Sequence, residues 1–290
     1  MTIASSFFPH HEVHVGRDLG GRETTVSEAV VRRYEAGTGA PATHLDLDGV
    51  TIAPALLFHS EVFRSLAWYL PNVFGNLHAR QEWELFAPLM IGVPVHTRST
   101  VVERYLKRNR EYVVNEVLLT DAGGRWLQRS RTHQSFLVEE GRRDVVVDRE
   151  REKRPDRQFA IGEGPGEAIG PLTRTITPAM CEAFSGPEKN YHTDRAMAQA
   201  LGFPDIVVQG MMSVCFVSEL MAHAFGLGWH LGGKLDLRLV NVVWVNDVIT
   251  ARGKTREEVA EGAKRRVHLD VWCEKADGTK TMVGTASALA

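Results

Sequence analysis

The chain follows one plan twice. Tyr34-Glu35-Ala36-Gly37-Thr38-Gly39 in the first half is matched by Cys181-Glu182-Ala183-Phe184-Ser185-Gly186, 147 positions later. After each comes a polar loop and then a mostly apolar helical stretch, 54–70 in the first half and 210–225 in the second. A strand-like run follows, Gln81-Glu82-Trp83-Glu84-Leu85-Phe86-Ala87-Pro88 against Lys234-Leu235-Asp236-Leu237-Arg238-Leu239-Val240-Asn241, offset by 153. Turns at Asp121-Ala122-Gly123-Gly124 and Ala276-Asp277-Gly278-Thr279 stand about 155 apart. Three matches in one order mark an internal repeat, so the 290 residues are expected to fold as two copies of one unit.

Each unit reads as a helix followed by three or four antiparallel strands, an α+β plan. Runs 113–120 and 267–273 carry the β-branched and aromatic enrichment of strands. Met211, Val214, Cys215, Ser218, Met221, Ala222 and Phe225 share one helical face, and Met212, Phe216 and Leu220 lie on others. A helix apolar nearly all round must be wrapped by other structure. One helix rolled inside a curved antiparallel sheet is the hot-dog arrangement. Two units in one chain predict a double hot-dog, with two long central helices side by side inside a continuous sheet. The expected units are 1–148 and 168–290. The charge run at 149–154 and Gly162-Glu163-Gly164-Pro165-Gly166 suit a surface linker over 149–167.

Lys plus Arg total 34 and Asp plus Glu 36, for a net charge of −2, which argues against a nucleic-acid partner. Cys181, Cys215 and Cys273 are far apart and form no CxxC, so neither a disulfide framework nor structural zinc is expected. The first fourteen residues lack a signal-peptide pattern. The apolar stretch 207–229 is interrupted by Gln209, Ser213, Ser218, Glu219 and His223, which suits a buried helix and not a membrane span. A cytoplasmic protein without cofactor or metal is the expectation. His10, His11 and His14 lack a further ligand partner, and Pro165 spoils residues 162–166 as a phosphate loop.

The most informative segment is Ser185-Gly186-Pro187-Glu188-Lys189-Asn190-Tyr191-His192-Thr193-Asp194, followed by Val207-Val208-Gln209-Gly210-Met211 at the start of the apolar helix. It resembles the MaoC-like (R)-specific enoyl-thioester hydratase or dehydratase family, of double hot-dog fold, whose motif is S/T-G-D-x-N-P-x-H-x-D with a later H-G. Ser185, Gly186, His192, Asp194 and Gly210 keep the register. Pro187 stands at the family's catalytic aspartate, Lys189-Asn190 at its Asn-Pro, and Gln209 where a histidine is usual. The first half resembles the family's degenerate N-terminal hot dog.

The resemblance implies hydration or dehydration of an acyl thioester carried on coenzyme A or an acyl carrier protein. His192 is the candidate acid–base group, since an imidazole can take and return a proton near neutral pH. Glu188 and Asn190 are the candidates to complete the site, one as a replacement carboxylate, the other as a holder of water. The enolate-like oxygen needs fixed donors, which backbone N–H groups at Gly210 and Met211 would supply. Gln209 and Ser185 are further substrate-binding candidates; Ser185 has no G-x-S-x-G elbow around it, so it is no nucleophile. Asp194 reads as an N-cap. Two other functions remain open: another thioester reaction, hydrolysis or cyclisation, with Glu219 as its acid, or a non-catalytic binding subunit. Because one chain supplies the paired unit, a monomer or a homodimer is expected.

Overall fold

In the computed structural model, which describes residues 13–41, 45–66, 77–107, 110–137 and 159–290, both halves enter one ten-stranded antiparallel sheet. The first half runs β1 (Asp18–Thr25), α1 (Glu28–Thr38), a small hairpin β2 (Asp46–Leu47) and β3 (Val50–Thr51), then α2 (Glu61–Leu66). It continues β4 (Leu77–Leu85), β5 (Pro94–Lys107), β6 (Arg110–Asp121) and β7 (Trp126–Leu137). The second half repeats this as β8 (Ala168–Thr175), α3 (Pro178–Ser185), α4 (Arg195–Ala200), α5 (Met211–Phe225) and α6 (Leu227–Gly232). Its strands are β9 (Lys234–Leu239), β10 (Val248–Glu261), β11 (Lys264–Lys275) and β12 (Lys280–Leu289). The sheet order, β1-β5-β6-β7-β4-β9-β12-β11-β10-β8, reads the same pattern from either end, so the halves are related by a pseudo-twofold axis between β4 and β9.

That central pair joins the two units. Trp83 lies opposite Leu235 and Gln81 opposite Leu237, all four buried on the inner face. On the outer face Arg80 faces Arg238, and Glu82 faces Asp236. Like charges directly opposite repel. Here the diagonal relieves them: Arg80 donates to both Asp236 oxygens at 2.6 and 2.7 Å and also reaches Glu82 at 2.5 Å.

The expected wrapped helix is α5. It buries every residue from Met211 to Ser218, then Leu220 and Met221. Ile249, Ala251, Leu269, Val271 and Met282 from the second-half strands belong to the same core. The first half differs from expectation. Residues 55–60 form a chain of turns with bonds such as Leu57 N–H to Pro54 O and His59 N–H to Leu56 O, and the helix is confined to α2 among the described residues. Pro54 lacks an N–H and i→i+3 bonding tightens the chain, so an α-helix is not propagated from there. Residues 67–70 of the expected helix, and the charge run at 149–154, lie outside the described residues.

The helices that pack across the halves are α1 and α3, each begun by a hydroxyl N-cap, Ser27 and Thr177. Gly37 makes this approach possible, because a Cβ there would come within 3.0 Å of the Phe184 backbone. Among the described residues no helix is long and apolar enough to cross a membrane.

If α5 organises the core, Phe216→Ala should cost about 3–5 kcal/mol, as removal of a buried aromatic ring usually does. Phe216 is fully buried. The shift of the denaturant midpoint measures it.

Candidate active site

The loop between α3 and α4 carries His192, and its shape is set from inside by Asn190. The Asn190 amide donates to Ser185 O and Glu188 O, both at 3.0 Å, while its oxygen accepts the His192 backbone N–H at 2.8 Å. Both amide hydrogens are thus given to the loop backbone. Asp194 closes the loop as the N-cap of α4, accepting from Met197 N–H at 3.0 Å. Lys189 pairs with Asp194 at 2.9 Å, holding that carboxyl below its ordinary range.

The other half steadies the same loop. Arg33, on α1, donates to the carbonyls of Ala183 and Gly186 at the end of α3. Arg174, on β8, answers by donating to Gly39 O beyond the end of α1. Carbonyls at helix C-termini lack partners within the helix, and cationic donors suit them. The pseudo-twofold axis therefore builds a mutual clasp between the two halves.

His192 is half-buried, and its Nδ1 stands 2.7 Å from Val207 O. A carbonyl can only accept, so Nδ1 carries the proton and Nε2 presents a bare lone pair. Val207 is itself fixed: its N–H bonds Tyr191 O, and its neighbours Ile206 and Val208 bond Val245 and Val243. The Tyr191 ring covers the imidazole with centroids 3.9 Å apart. Burial pushes the His192 pKa down to about 4, only partly offset by the Val207 carbonyl. The ring is neutral at physiological pH, as a proton acceptor must be.

Around it the other candidates separate. Glu188 and Pro187 are exposed. Ser185 Oγ and Gln209 Oε1 are buried without a hydrogen-bond partner. Such atoms are uncommon in folded proteins, and a bound ligand or water is one way of satisfying them. Gly210 is the N-cap of α5, and a Cβ there would fall 1.9 Å from Leu239 Cδ2. Met211, the first residue of α5, is fully buried. Glu219 is bound by Arg174 at 2.7 Å, two turns into α5. Burial still raises its pKa, against the pull of Arg174 and His223. Of the suspected N-terminal histidines, His10 and His11 lie outside the described residues. Among the described residues no cluster of three metal-ligating side chains occurs.

Two histidines escaped the sequence reading. His59 is buried with its ring stacked on Phe184 at 4.0 Å. His78, on β4, comes within 3.9 Å of the Cβ position at Gly210 through the pairing of the halves. No local motif announces either one.

Residues 161–274 match the family model of the MaoC-like domain. No curated protein matches the sequence. Among solved structures, a MaoC-like dehydratase superposes with TM-score 0.70 and 14% identity, over 96% of this chain and 98% of the other. A Mycobacterium tuberculosis protein described as a double hotdog fold gives TM-score 0.62 and 12% identity, over 96% and 97%. Peroxisomal multifunctional enzyme type 2 of Drosophila melanogaster gives TM-score 0.65 and 16% identity over 93% of this chain, which spans about half (48%) of that enzyme. The double hot-dog fold expected from the repeat is the fold observed.

The buried imidazoles have a consequence for stability. His59, His78, His192 and His230 all have pKa values pushed down to about 4 by burial, from 6.5. Between pH 6.5 and 4 the unfolded chain takes up protons that the folded chain refuses, so stability is greatest above 6.5 and falls towards 4. Denaturant midpoints across that window should decline as pH drops. A flat profile would contradict the burial of these rings.

Proposed function

With a MaoC-like domain at residues 161–274 as the premise, we propose that the chain hydrates an enoyl thioester, or dehydrates a 3-hydroxyacyl thioester, on coenzyme A or an acyl carrier protein. The observation that carries this reading is the 2.7 Å bond from His192 Nδ1 to Val207 O, which leaves Nε2 as the base. In the hydration direction water adds its oxygen to the β-carbon while Nε2 takes its proton. The electron pair of the double bond moves onto the thioester oxygen as an enolate. Nε2 then returns the proton to the α-carbon, and the carbonyl re-forms. Hydrogen and hydroxyl enter from one face.

A low-pKa imidazole suits this cycle because its positive charge appears together with the enolate. Opposite charges close together in a poorly solvated site stabilise each other strongly. The N–H groups of Gly210 and Met211, at the start of α5, are the proposed donors to the enolate oxygen. Ser185 Oγ and Gln209 Oε1 are proposed to meet the thioester or its water. Asn190 is assigned to holding His192, since its amide hydrogens are spent on loop carbonyls. Glu219 is engaged by Arg174 and is given no part in the proposed reaction. The three buried free thiols fit a reducing, cytoplasmic setting, and a monomer or homodimer of the paired unit is the proposed assembly.

Crotonyl-CoA hydration, followed by loss of the enoyl absorbance, tests the reading. His192→Ala should lower kcat by ~10²–10⁴-fold, the usual contribution of a positioned acid–base group. Glu188→Gln should leave kcat nearly unchanged. Full activity in His192→Ala would remove the assignment.

Gly210 offers a separate check. Gly210→Ala should lose both stability, through Leu239, and ~10²–10³-fold in turnover, the typical cost of one lost oxyanion donor. Adding Leu239→Ala should return the melting temperature towards normal but not the turnover. Recovery of both would make Gly210 a packing residue only.

A further inference from the structure

His78 lies outside the motif and in the other half of the chain, yet it faces the start of α5. Its Nδ1 is 3.9 Å from the Cβ position of Gly210. Its Nε2 stands 3.1 Å from Gln81 Oε1. The Gln81 amide is oriented without ambiguity: its nitrogen donates to Glu82 O at 2.9 Å, and its oxygen accepts from Thr132 Oγ1 at 2.8 Å. Nε2 must therefore be the protonated nitrogen, and Nδ1 the bare one. Gln81 is fully buried, and Phe63 meets the ring edge-on at 6.1 Å, so the imidazole is gripped on two sides. Burial lowers its pKa to about 4, which keeps it neutral. An immobilised acceptor thus sits beside the proposed carbonyl donors.

We infer that His78 Nδ1 accepts a hydrogen bond from the hydroxyl of the 3-hydroxyacyl thioester, and from the water that becomes that hydroxyl. The inference rests on the hydratase reading and deepens it. The hydroxyl-bearing carbon is only two atoms from the carbonyl carbon. An acceptor next to the helix start is therefore within its reach once the carbonyl is bound there. Pro187 provides no acceptor side chain, and Glu188 is exposed. An acceptor from the first half supplies what that loop lacks, while His192 moves the proton. His78 also gives the first half a direct part in substrate choice: it favours ligands whose third carbon carries a donor.

Binding in a His192→Ala background tests this, because turnover is then silenced while the pocket remains. Calorimetry with 3-hydroxybutyryl-CoA and butyryl-CoA should show a preference of ~10-fold for the hydroxylated ligand, about one hydrogen bond's worth. Adding His78→Phe, which keeps a ring but removes the acceptor, should erase the preference and leave butyryl-CoA affinity unchanged. Adding His78→Asn instead, whose amide oxygen falls near the Nδ1 position, should retain most of it. If the Phe variant does not fold, His78→Leu takes its place. An undiminished preference in the Phe or Leu variant overturns the inference and leaves the hydratase reading standing. Failure of the unsubstituted chain to hydrate crotonyl-CoA and to bind either thioester would overturn the hydratase reading itself.

Discussion

A 15-residue helix that is apolar nearly all round leaves few options. Each large side chain buried on α5 contributes about 1.5–3 kcal/mol relative to exposure, but only if structure surrounds the whole cylinder. One curled sheet supplies most of that enclosure, and its free strand edge needs a partner. The second copy of the unit provides it through β4 and β9, where Arg80 and Asp236 fasten the outer face. With the helix enclosed, its N-terminal end follows directly on the segment whose Val207 carbonyl holds His192, and His78 of the other half lies beside it.

The electrostatics follow from that burial. His192 and His78 are both kept neutral by desolvation, and each is held in one tautomer by an acceptor: Val207 O for the first, Gln81 Oε1 for the second. They therefore present opposite ring nitrogens, Nε2 and Nδ1, as lone pairs. In the proposed chemistry this divides the work between moving a proton and holding a hydroxyl. The absent motif carboxylate need not be replaced within its own loop, because the loop is braced by Asn190 and by Arg33 from across the axis.

What the sequence made legible was what depends on local pattern and on register. The repeat predicted two like units sharing a continuous sheet, and the apolar spacing of Met211, Val214, Cys215 and Ser218 predicted the wrapped helix. The Asp194 cap was equally plain. The first-half helix was not, because periodicity over 54–70 does not distinguish an α-helix from successive tight turns after Pro54. Asn190 shows a different gap: an amide can hold a water or a carbonyl, and only its neighbours in space decide. The place of His78 comes from the pairing of β4 with β9, which joins the halves and leaves it beside Gly210, some 130 positions away, and no local motif encodes that.

The account turns on the protonation state of His192, and nitrogen-15 NMR of the ring reads it directly. The structure predicts a protonated, pyrrole-type Nδ1 and a pyridine-type Nε2 that persists unprotonated until the pH approaches about 4. A proton on Nε2 with Nδ1 bare, or a ring that titrates at its ordinary value of 6.5, would contradict the bond to Val207 and remove the base from the proposed reaction.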